Sequence, residues 1–248
     1  MKENAQRILS WLYPSDKAVR WVRSEEFGVV APDLTDGGLQ SVLLFLQKRK
    51  RVVIERLEGQ QLVSITTHGM RALEEQIPAF VPQRRTWQGD WQGIFFLRSP
   101  RSDQHFRFLR RLLTNGFALP VSRGVFLYPG KLPEKIIFEL NSGYEGAVLV
   151  AEFKNWSFGD EKELISEILA LSDMINTYSG ISKEIDKLLT LDQSLIEFTD
   201  QAKLRFSSVF DRLFTTLKND YGIQQAYFPQ EKTGIELLFA LQKLSFLE

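Results

Sequence analysis

Residue types suited to noncovalent recognition of a polyanion lie close together between residues 40 and 61. Lys48, Arg49, Lys50 and Arg51 form one basic run, and cationic side chains of this kind bind phosphate oxygens. A glutamine can pair with N6 and N7 of adenine, and a leucine can contact the methyl group of thymine. The candidate base-facing residues are Gln40, Ser41 and Leu44, and the candidate phosphate-facing residues are Lys48, Arg49, Lys50, Arg51, Arg56, Gln60 and Gln61. This set predicts binding to double-stranded DNA.

An amphipathic helix is predicted to carry the base-facing residues. One apolar stripe recurs at i, i+3, i+4 and i+7, formed by Leu39, Val42, Leu43 and Leu46. Thr35 or Asp36 can accept a hydrogen bond from the first turn of this helix. Gln40, Ser41 and Leu44 project from the opposite face, so the fold should not depend on them.

A two-stranded hairpin is predicted to follow this helix. Its strands cover residues 52–56 and 62–66, and Gly59 suits the positive φ of the bend between them. Thr66 or Thr67 can then cap another helix that continues through Glu74. Helix, hairpin and helix in this order are typical of a winged helix-turn-helix.

The remaining chain predicts an α+β protein with three consecutive domains: a winged helix domain at 1–80, a ferredoxin-like middle domain at 86–158 and an all-helical domain at 159–248. Two short helices, 4–12 and 16–24, should cover the apolar stripe, and the proline-rich segment after Glu75 predicts a linker with a boundary near residue 80.

The middle domain should contain three strands and two helices in the order β-α-β-α-β. The strands are predicted at 91–97, 121–128 and 147–153, and the helices at 103–113 and 133–140. Strand 147–153 is almost continuously apolar at its start, which predicts a central position in the sheet. Further helices are predicted from Glu161 onward, at 181–190, 192–219 and 233–247, with Gly180 among the interruptions.

Composition restricts the classes of protein that fit. Residues 1–115 contain 18 basic and 12 acidic residues, whereas residues 116–248 contain 13 and 19, so a basic front half is followed by an acidic rear half. This asymmetry suits a front half that faces nucleic acid. The chain has no cysteine, which fits the cytoplasm, and no apolar run long enough to cross a membrane. Two isolated histidines predict neither a metal site nor a cofactor.

Enzymatic activity is not expected. The chain has no P-loop, no G-x-S-x-G element and no dinucleotide fingerprint. The middle domain is similar in outline to the small CRISPR-associated adaptation nuclease, whose first strand ends in a metal-binding aspartate. Here Arg98 follows that strand and would repel the metal, and Asp103 nearby is better suited to capping a helix.

Several stretches, taken in order, resemble PaaX-type regulators, the family of the phenylacetate-degradation repressor. They include Trp-Gln-Gly-Asp-Trp at 87–91 and Arg-Gly-Val-Phe-Leu-Tyr-Pro at 123–129, and the others lie at 39–53, 66–69, 113–117, 206–214 and 221–229. The resemblance implies a winged helix, a ferredoxin-like middle domain and a helical C-terminal domain. It also implies a homodimeric transcriptional repressor that a small acyl-coenzyme A ligand releases from DNA.

The chain departs from the family pattern at two places. Gln40 and Phe45 replace arginines of the family's recognition helix, so the exposed face is nearly neutral. An alternative is therefore a protein-interaction module on the same fold, in which Leu44 and Phe45 contact a protein partner. The C-terminal helix has Ser208 or Val209, Phe210 and Asp211 where the family often has His-Glu-Tyr, so no effector residue is assigned.

Overall fold

The computed structural model describes residues 2–15, 19–97, 104–157, 159–190 and 200–244, and it contains helices and two antiparallel sheets, as expected for an α+β protein. The chain divides into two compact units. Unit 1 comprises Met1–Phe80, Met174–Asp220 and Glu231–Glu248, and unit 2 comprises Val81–Asp173 and Tyr221–Gln230. Among the described residues, no helix is both long and apolar enough to span a membrane.

Unit 1 begins with the elements that surround the candidate site. They are α1 (Glu3–Leu12), β1 (Val22–Arg23), α2 (Phe27–Val30), α3 (Asp36–Lys48), β2 (Val52–Leu57), β3 (Gln60–Ile65) and α4 (Thr67–Glu74), with single 3-10 turns at Ser24–Glu26 and Pro78–Phe80. The three strands form an antiparallel sheet in the order β1-β3-β2. The first short helix and the helix, hairpin and helix predicted between residues 34 and 74 are confirmed.

The second short helix, predicted over 16–24, is wrong in its described part. Val22 and Arg23 form β1 and pair with Val63 and Leu62 of β3. This pairing buries Val22, which is 1% exposed, and it depends on a strand about 40 residues further along the chain. Residues 16–18 lie outside the described residues.

Helices from the C-terminal part of the sequence complete the core of unit 1. They are α9 (Leu171–Thr190), which unit 1 contains from Met174 onward, α10 (Asp200–Asn219) and α12 (Gly234–Gln242). Trp11 of α1 lies edge-on to Phe206 and Phe210, with ring centroids 5.4 and 5.9 Å away. The segment predicted as a third domain therefore contributes most of its helices to the unit that contains the N-terminal residues.

Two details of the predicted helical region differ or lie outside the description. Gly180 does not interrupt a helix, since α9 runs through it. The start of the helix predicted at 192–219 and the end of the one at 233–247 lie outside the described residues. The predicted linker also packs closely: Ile77 and Phe80 are fully buried, and the Phe80 ring lies 4.8 Å from the ring of Tyr13.

Unit 2 contains one sheet with helices. Its elements are α5 (Pro82–Arg85), β4 (Trp91–Phe96), α6 (Gln104–Asn115), β5 (Leu119–Ser122), β6 (Val125–Pro129), α7 (Glu134–Tyr144), β7 (Val148–Phe153), α8 (Glu161–Ile168) and α11 (Gln224–Tyr227). The strand order is β5-β6-β4-β7, and all neighbours are antiparallel. The single strand predicted at 121–128 is two strands, because the chain turns at Arg123 and Gly124, where Gly124 has φ of 86°.

Strand β7 lies at an edge of this sheet, so the prediction that it is central is wrong. The central strands are β4 and β6. In β7, Leu149 is 52% exposed and Val150 is 45% exposed. An apolar strand sequence is typical of a buried strand, but only the pairing of the whole sheet determines which strand is at the edge.

Candidate nucleic-acid interface

Helix α3 presents a polar and apolar face that the core does not use. Its N-terminus is capped by the Thr35 hydroxyl, which accepts a hydrogen bond from the Gly38 backbone N–H at 3.2 Å. Leu43 and Leu46 are completely buried, and Leu39 and Val42 pack partly against the same core. As predicted, the opposite face is exposed, with Gln40, Ser41, Leu44 and Lys48 open to solvent.

The hairpin of β2 and β3 bends through two residues with positive φ, Glu58 at 51° and Gly59 at 83°. This is the geometry of a type I′ turn, which suits the twist of the two strands. Arg56 pairs with Gln61, and Leu57 pairs with Gln60. Because side chains alternate along a strand, Arg56 and Gln61 share one face of the hairpin and Gln60 lies on the other.

A hydrogen bond joins the helix to the hairpin at the candidate site. The Gln40 Nε2 group donates to Gln61 Oε1 at 2.9 Å, between exposed side chains. The arrangement therefore brings Gln40, Gln61 and Arg56 to the same side of the hairpin. A bidentate contact from Gln40 to adenine requires this hydrogen bond to be exchanged for one to the base.

Ser41 is also partly engaged. Its hydroxyl donates to the Gly37 carbonyl oxygen at 2.8 Å, one turn earlier in α3. The proton of this hydroxyl is used within the helix, while its oxygen can still accept a hydrogen bond. Ser41 therefore offers an acceptor rather than a donor to a ligand.

The basic segment at the end of α3 has a defined backbone conformation. Lys50 adopts φ of 54°, the Lys50 N–H donates to Gln47 O at 2.8 Å, and the Arg51 N–H donates to Leu46 O at 2.9 Å. These two bonds form a Schellman motif with Lys50 at the position usually occupied by glycine. Four consecutive cationic residues are thus held at the helix terminus, where the helix dipole favours positive charge.

Helix α4 anchors this segment. The Thr66 hydroxyl donates to Lys50 O at 2.7 Å and accepts from the Gly69 N–H at 2.9 Å, and the Thr66 N–H donates to Arg51 O at 2.9 Å. Gly69 has no room for a Cβ, because the Arg51 carbonyl oxygen occupies that space. The α4 cap therefore holds the backbone of Lys50 and Arg51 in place.

The base-facing and phosphate-facing candidates occupy different ends of α3. Lys48 follows Gln40 by eight residues, which corresponds to roughly 12 Å along the helix axis. Between residues 36 and 61 the chain has five basic and three acidic residues, the latter being Asp36, Glu55 and Glu58. The positive charge is therefore concentrated at the C-terminal end of α3 rather than spread over the whole surface.

One exposed aromatic residue beside the site was not among the predicted DNA contacts. Phe45 is 41% exposed, and the Arg49 guanidinium lies 5.6 Å from its ring centroid. Together with Leu44, which is 51% exposed, it adds apolar area to the face that contains Gln40. The i, i+4 spacing of Phe45 and Arg49 could have indicated this contact from the sequence.

Residues considered for other chemistry are distributed as follows. Arg98 and Asp103 lie outside the described residues. Phe210 is buried, and Asp211 forms an ion pair with Arg7, so these two have structural contacts in unit 1. Over the described parts of the chain, no three histidine, aspartate or glutamate side chains group closely enough to hold a metal ion.

Comparisons with known proteins identify no family for this chain. No family model matches the sequence, and no curated protein matches it. Among solved structures, the uncharacterized protein Rv0674 from Mycobacterium tuberculosis is similar over 97% of both chains, with 15% sequence identity and a TM-score of 0.47. A similarity at this level carries no argument about function.

Proposed function

We propose that this chain is a sequence-specific transcriptional regulator, a repressor of the PaaX type, that binds double-stranded DNA as a homodimer. The observation that carries the proposal is the exposed face of α3, whose Gln40, Ser41 and Leu44 have no role in the core. The hairpin supports this face through Gln61, and a rigid basic segment follows it. Such a surface combines base-edge groups with phosphate-binding groups.

Two features of the fold support the domain types in this proposal. The order of α3, β2, β3 and α4 corresponds to a winged helix with α3 as its recognition helix. The β-α-β-β-α-β order of β4 to β7 corresponds to a ferredoxin-like domain. In the proposed assembly, two copies present their α3 helices to half-sites roughly 34–36 Å apart, or multiples of that distance.

A small acyl-coenzyme A effector belongs to the proposal through the PaaX resemblance. Unit 2 has an open cavity of about 510 Å³, whose lining includes Arg85, Trp87, Glu161 and Tyr227. This volume lies within the range of small-molecule sites. An effector of this class is expected to weaken DNA binding, which a titration of acyl-coenzyme A into the protein–DNA complex measures by fluorescence anisotropy.

The direct test is binding selection on fragments of the source genome, followed by anisotropy with a selected duplex and a scrambled duplex of the same length. The proposal predicts recovery of a sequence with two related half-sites, and a specific affinity about 10³-fold or more above that for the scrambled duplex. Absence of binding to any duplex at low salt would overturn it.

The second candidate function is a protein-interaction module on the same fold. The exposed Leu44 and Phe45 favour it, because apolar and aromatic residues are common at protein interfaces. In this alternative, Leu44→Asp abolishes association with a protein partner while Gln40→Ala changes no sequence preference. The proposed regulator requires the opposite result for Gln40→Ala.

A further inference from the structure

Strand β7 has an unused hydrogen-bonding edge. The Leu97 N–H donates to Ala147 O at 3.0 Å, and hydrogen-bonded pairs alternate along an antiparallel ladder. The backbone groups of Leu149 and Ala151 therefore point toward β4, and those of Val148, Val150 and Glu152 point away from it. Among the described residues, no strand pairs with this outer side of β7.

The other side of β4 confirms this assignment of directions. The Phe96 N–H donates to Gly124 O at 2.7 Å, so the even-numbered residues of β4 bond toward β6. Its odd-numbered residues, which include the partners of Leu149 and Ala151, bond toward β7. The register of six consecutive pairs between β4 and β7 contains no bulge.

The sequence of β7 differs from that of a protected edge strand. Exposed edge strands usually contain charges, prolines or bulges that prevent pairing with another chain. Strand β7 contains only one charged residue, Glu152, and it is apolar on both faces. Val148 and Val150 lie on the face of Ile94 and Phe96, whereas Leu149, Ala151 and Phe153 lie on the other.

More exposed apolar area lies beside this edge. Leu97, which is 64% exposed, is bonded to the residue before β7, and Trp156, which is 37% exposed, stacks on Phe153 with ring centroids 6.4 Å apart. Apolar residues on both faces of a strand are typical of the interior of a sheet. A further strand placed along β7 would give it the surroundings that its sequence suits.

We propose that β7 pairs antiparallel with β7 of a second copy of this chain, joining two four-stranded sheets into one continuous sheet. This inference rests on the homodimer in the proposed function and specifies its interface. The pairing is isologous, because the same strand is used on both sides of a two-fold axis.

The charge of Glu152 selects the register of this pairing. With Val150 on the axis, Val150 faces Val150 of the second copy, Leu149 faces Ala151, and Glu152 faces Val148. The two Glu152 residues are then four strand positions apart, roughly 13 Å, whereas an axis at Ala151 brings them to roughly 7 Å. The Val150 register thus separates like charges and keeps the centre apolar.

Light scattering on the full chain tests the interface with substitutions at Val150. The wild type should have twice the chain mass of 28.7 kDa, and Val150→Pro should have the mass of one chain. Proline removes an N–H that points away from β4, so the hydrogen bonds within the sheet remain. The control Val150→Thr keeps the N–H and the branched shape and should remain dimeric.

A second set of variants covers the case in which proline disturbs the fold. Val150→Lys retains the backbone N–H and should also yield one chain mass, since it places two cations on the axis. The chain has no cysteine, so Val150→Cys should form a disulfide-linked dimer under mild oxidation. Phe108→Cys, at a position of similar exposure on α6, should remain unlinked.

The outcomes separate the interface from the regulator function. A monomeric wild type overturns the interface, and so does a dimer that persists in both Val150→Pro and Val150→Lys. If that persistent dimer binds duplex DNA specifically, the regulator proposal stands with a different interface. If Val150→Pro is monomeric and the wild type binds no DNA, the interface stands and the regulator proposal fails.

Discussion

Gln40 on α3 and Gln61 on β3 are joined by a hydrogen bond of 2.9 Å, so the candidate recognition helix and the hairpin meet through their amide side chains. The residues are 21 positions apart and both were candidates for DNA contact, one for bases and the other for phosphates. Their pairing means that removal of Gln40 also releases Gln61. Effects of either substitution should therefore be measured together with the double variant.

Gln40→Ala is expected to relax base preference at one position in each half-site. Loss of a bidentate glutamine–adenine contact costs about 1–3 kcal/mol of discrimination. The melting temperature should hardly change, because an exposed side chain contributes about 0.5 kcal/mol or less. Selection on randomised half-sites measures the preference. Leu43→Ala is the control for the buried face and should lower the free energy of unfolding by about 2–5 kcal/mol; unchanged preference in Gln40→Ala would contradict the base contact.

Lys50→Gly is expected to remove a phosphate contact without loss of stability. The affinity of the wild type for duplex DNA should fall with salt, and each lost phosphate contact should reduce the log–log slope by about 0.9. Glycine accepts the positive φ of residue 50, so the free energy of unfolding should be equal or higher by up to about 1 kcal/mol. Anisotropy at several salt concentrations and urea unfolding measure the two quantities.

Two variants bracket this experiment. Lys48→Ala combined with Arg51→Ala should flatten the slope by about two contacts. Lys135→Ala, at an exposed position on α7, should leave the slope unchanged. An unaltered slope in both Lys50→Gly and the double variant would show that this segment does not contact phosphates.

Gly69→Ala is expected to destabilise unit 1, because the new Cβ would overlap the carbonyl oxygen of Arg51. Overpacking of this kind costs about 1–3 kcal/mol. At Gly37 the same substitution meets open space, so Gly37→Ala should be neutral or stabilising. Urea unfolding of both variants gives the comparison. Equal stabilities would mean that α4 does not constrain the basic segment.

The pH dependence of stability should contain a contribution from Glu26. Burial raises the pKa of this carboxyl above its ordinary value, although Arg20 and the Trp11 N–H oppose the shift. The folded state therefore holds this proton more tightly than the unfolded state. The corresponding stabilisation is fully present below the ordinary glutamate pKa and is lost as the pH rises through the raised pKa of the folded state.

Glu26→Gln provides the measurement. The urea midpoint of the wild type should fall relative to that of the variant as the pH rises from below the ordinary glutamate pKa to neutrality. Each unit of difference between the folded and unfolded pKa corresponds to about 1.4 kcal/mol. Parallel pH profiles for the two proteins would contradict a raised pKa.

Local patterns in the sequence were sufficient to predict the elements around the candidate site. Thr35 and Thr66 both cap helices, Gly59 lies in the hairpin turn, and the i, i+3, i+4 spacing identified the buried face of α3. These features depend on residues within a few positions of one another, so their physical cause lies within the local sequence. The DNA contacts of this site remain a prediction.

Tertiary structure decided what depends on distant residues. Val22 forms a strand because β3 offers a partner, and Trp11 meets Phe206 and Phe210 because α10 packs beside α1. The apolar sequence of β7 correctly suggested a strand, but its place at the edge follows from the order β5-β6-β4-β7. By itself the sequence determined the helices, the hairpin and their buried faces, since short-range periodicity and capping specify them. Only the folded chain determined which faces meet, because that choice depends on pairing and burial across many intervening residues.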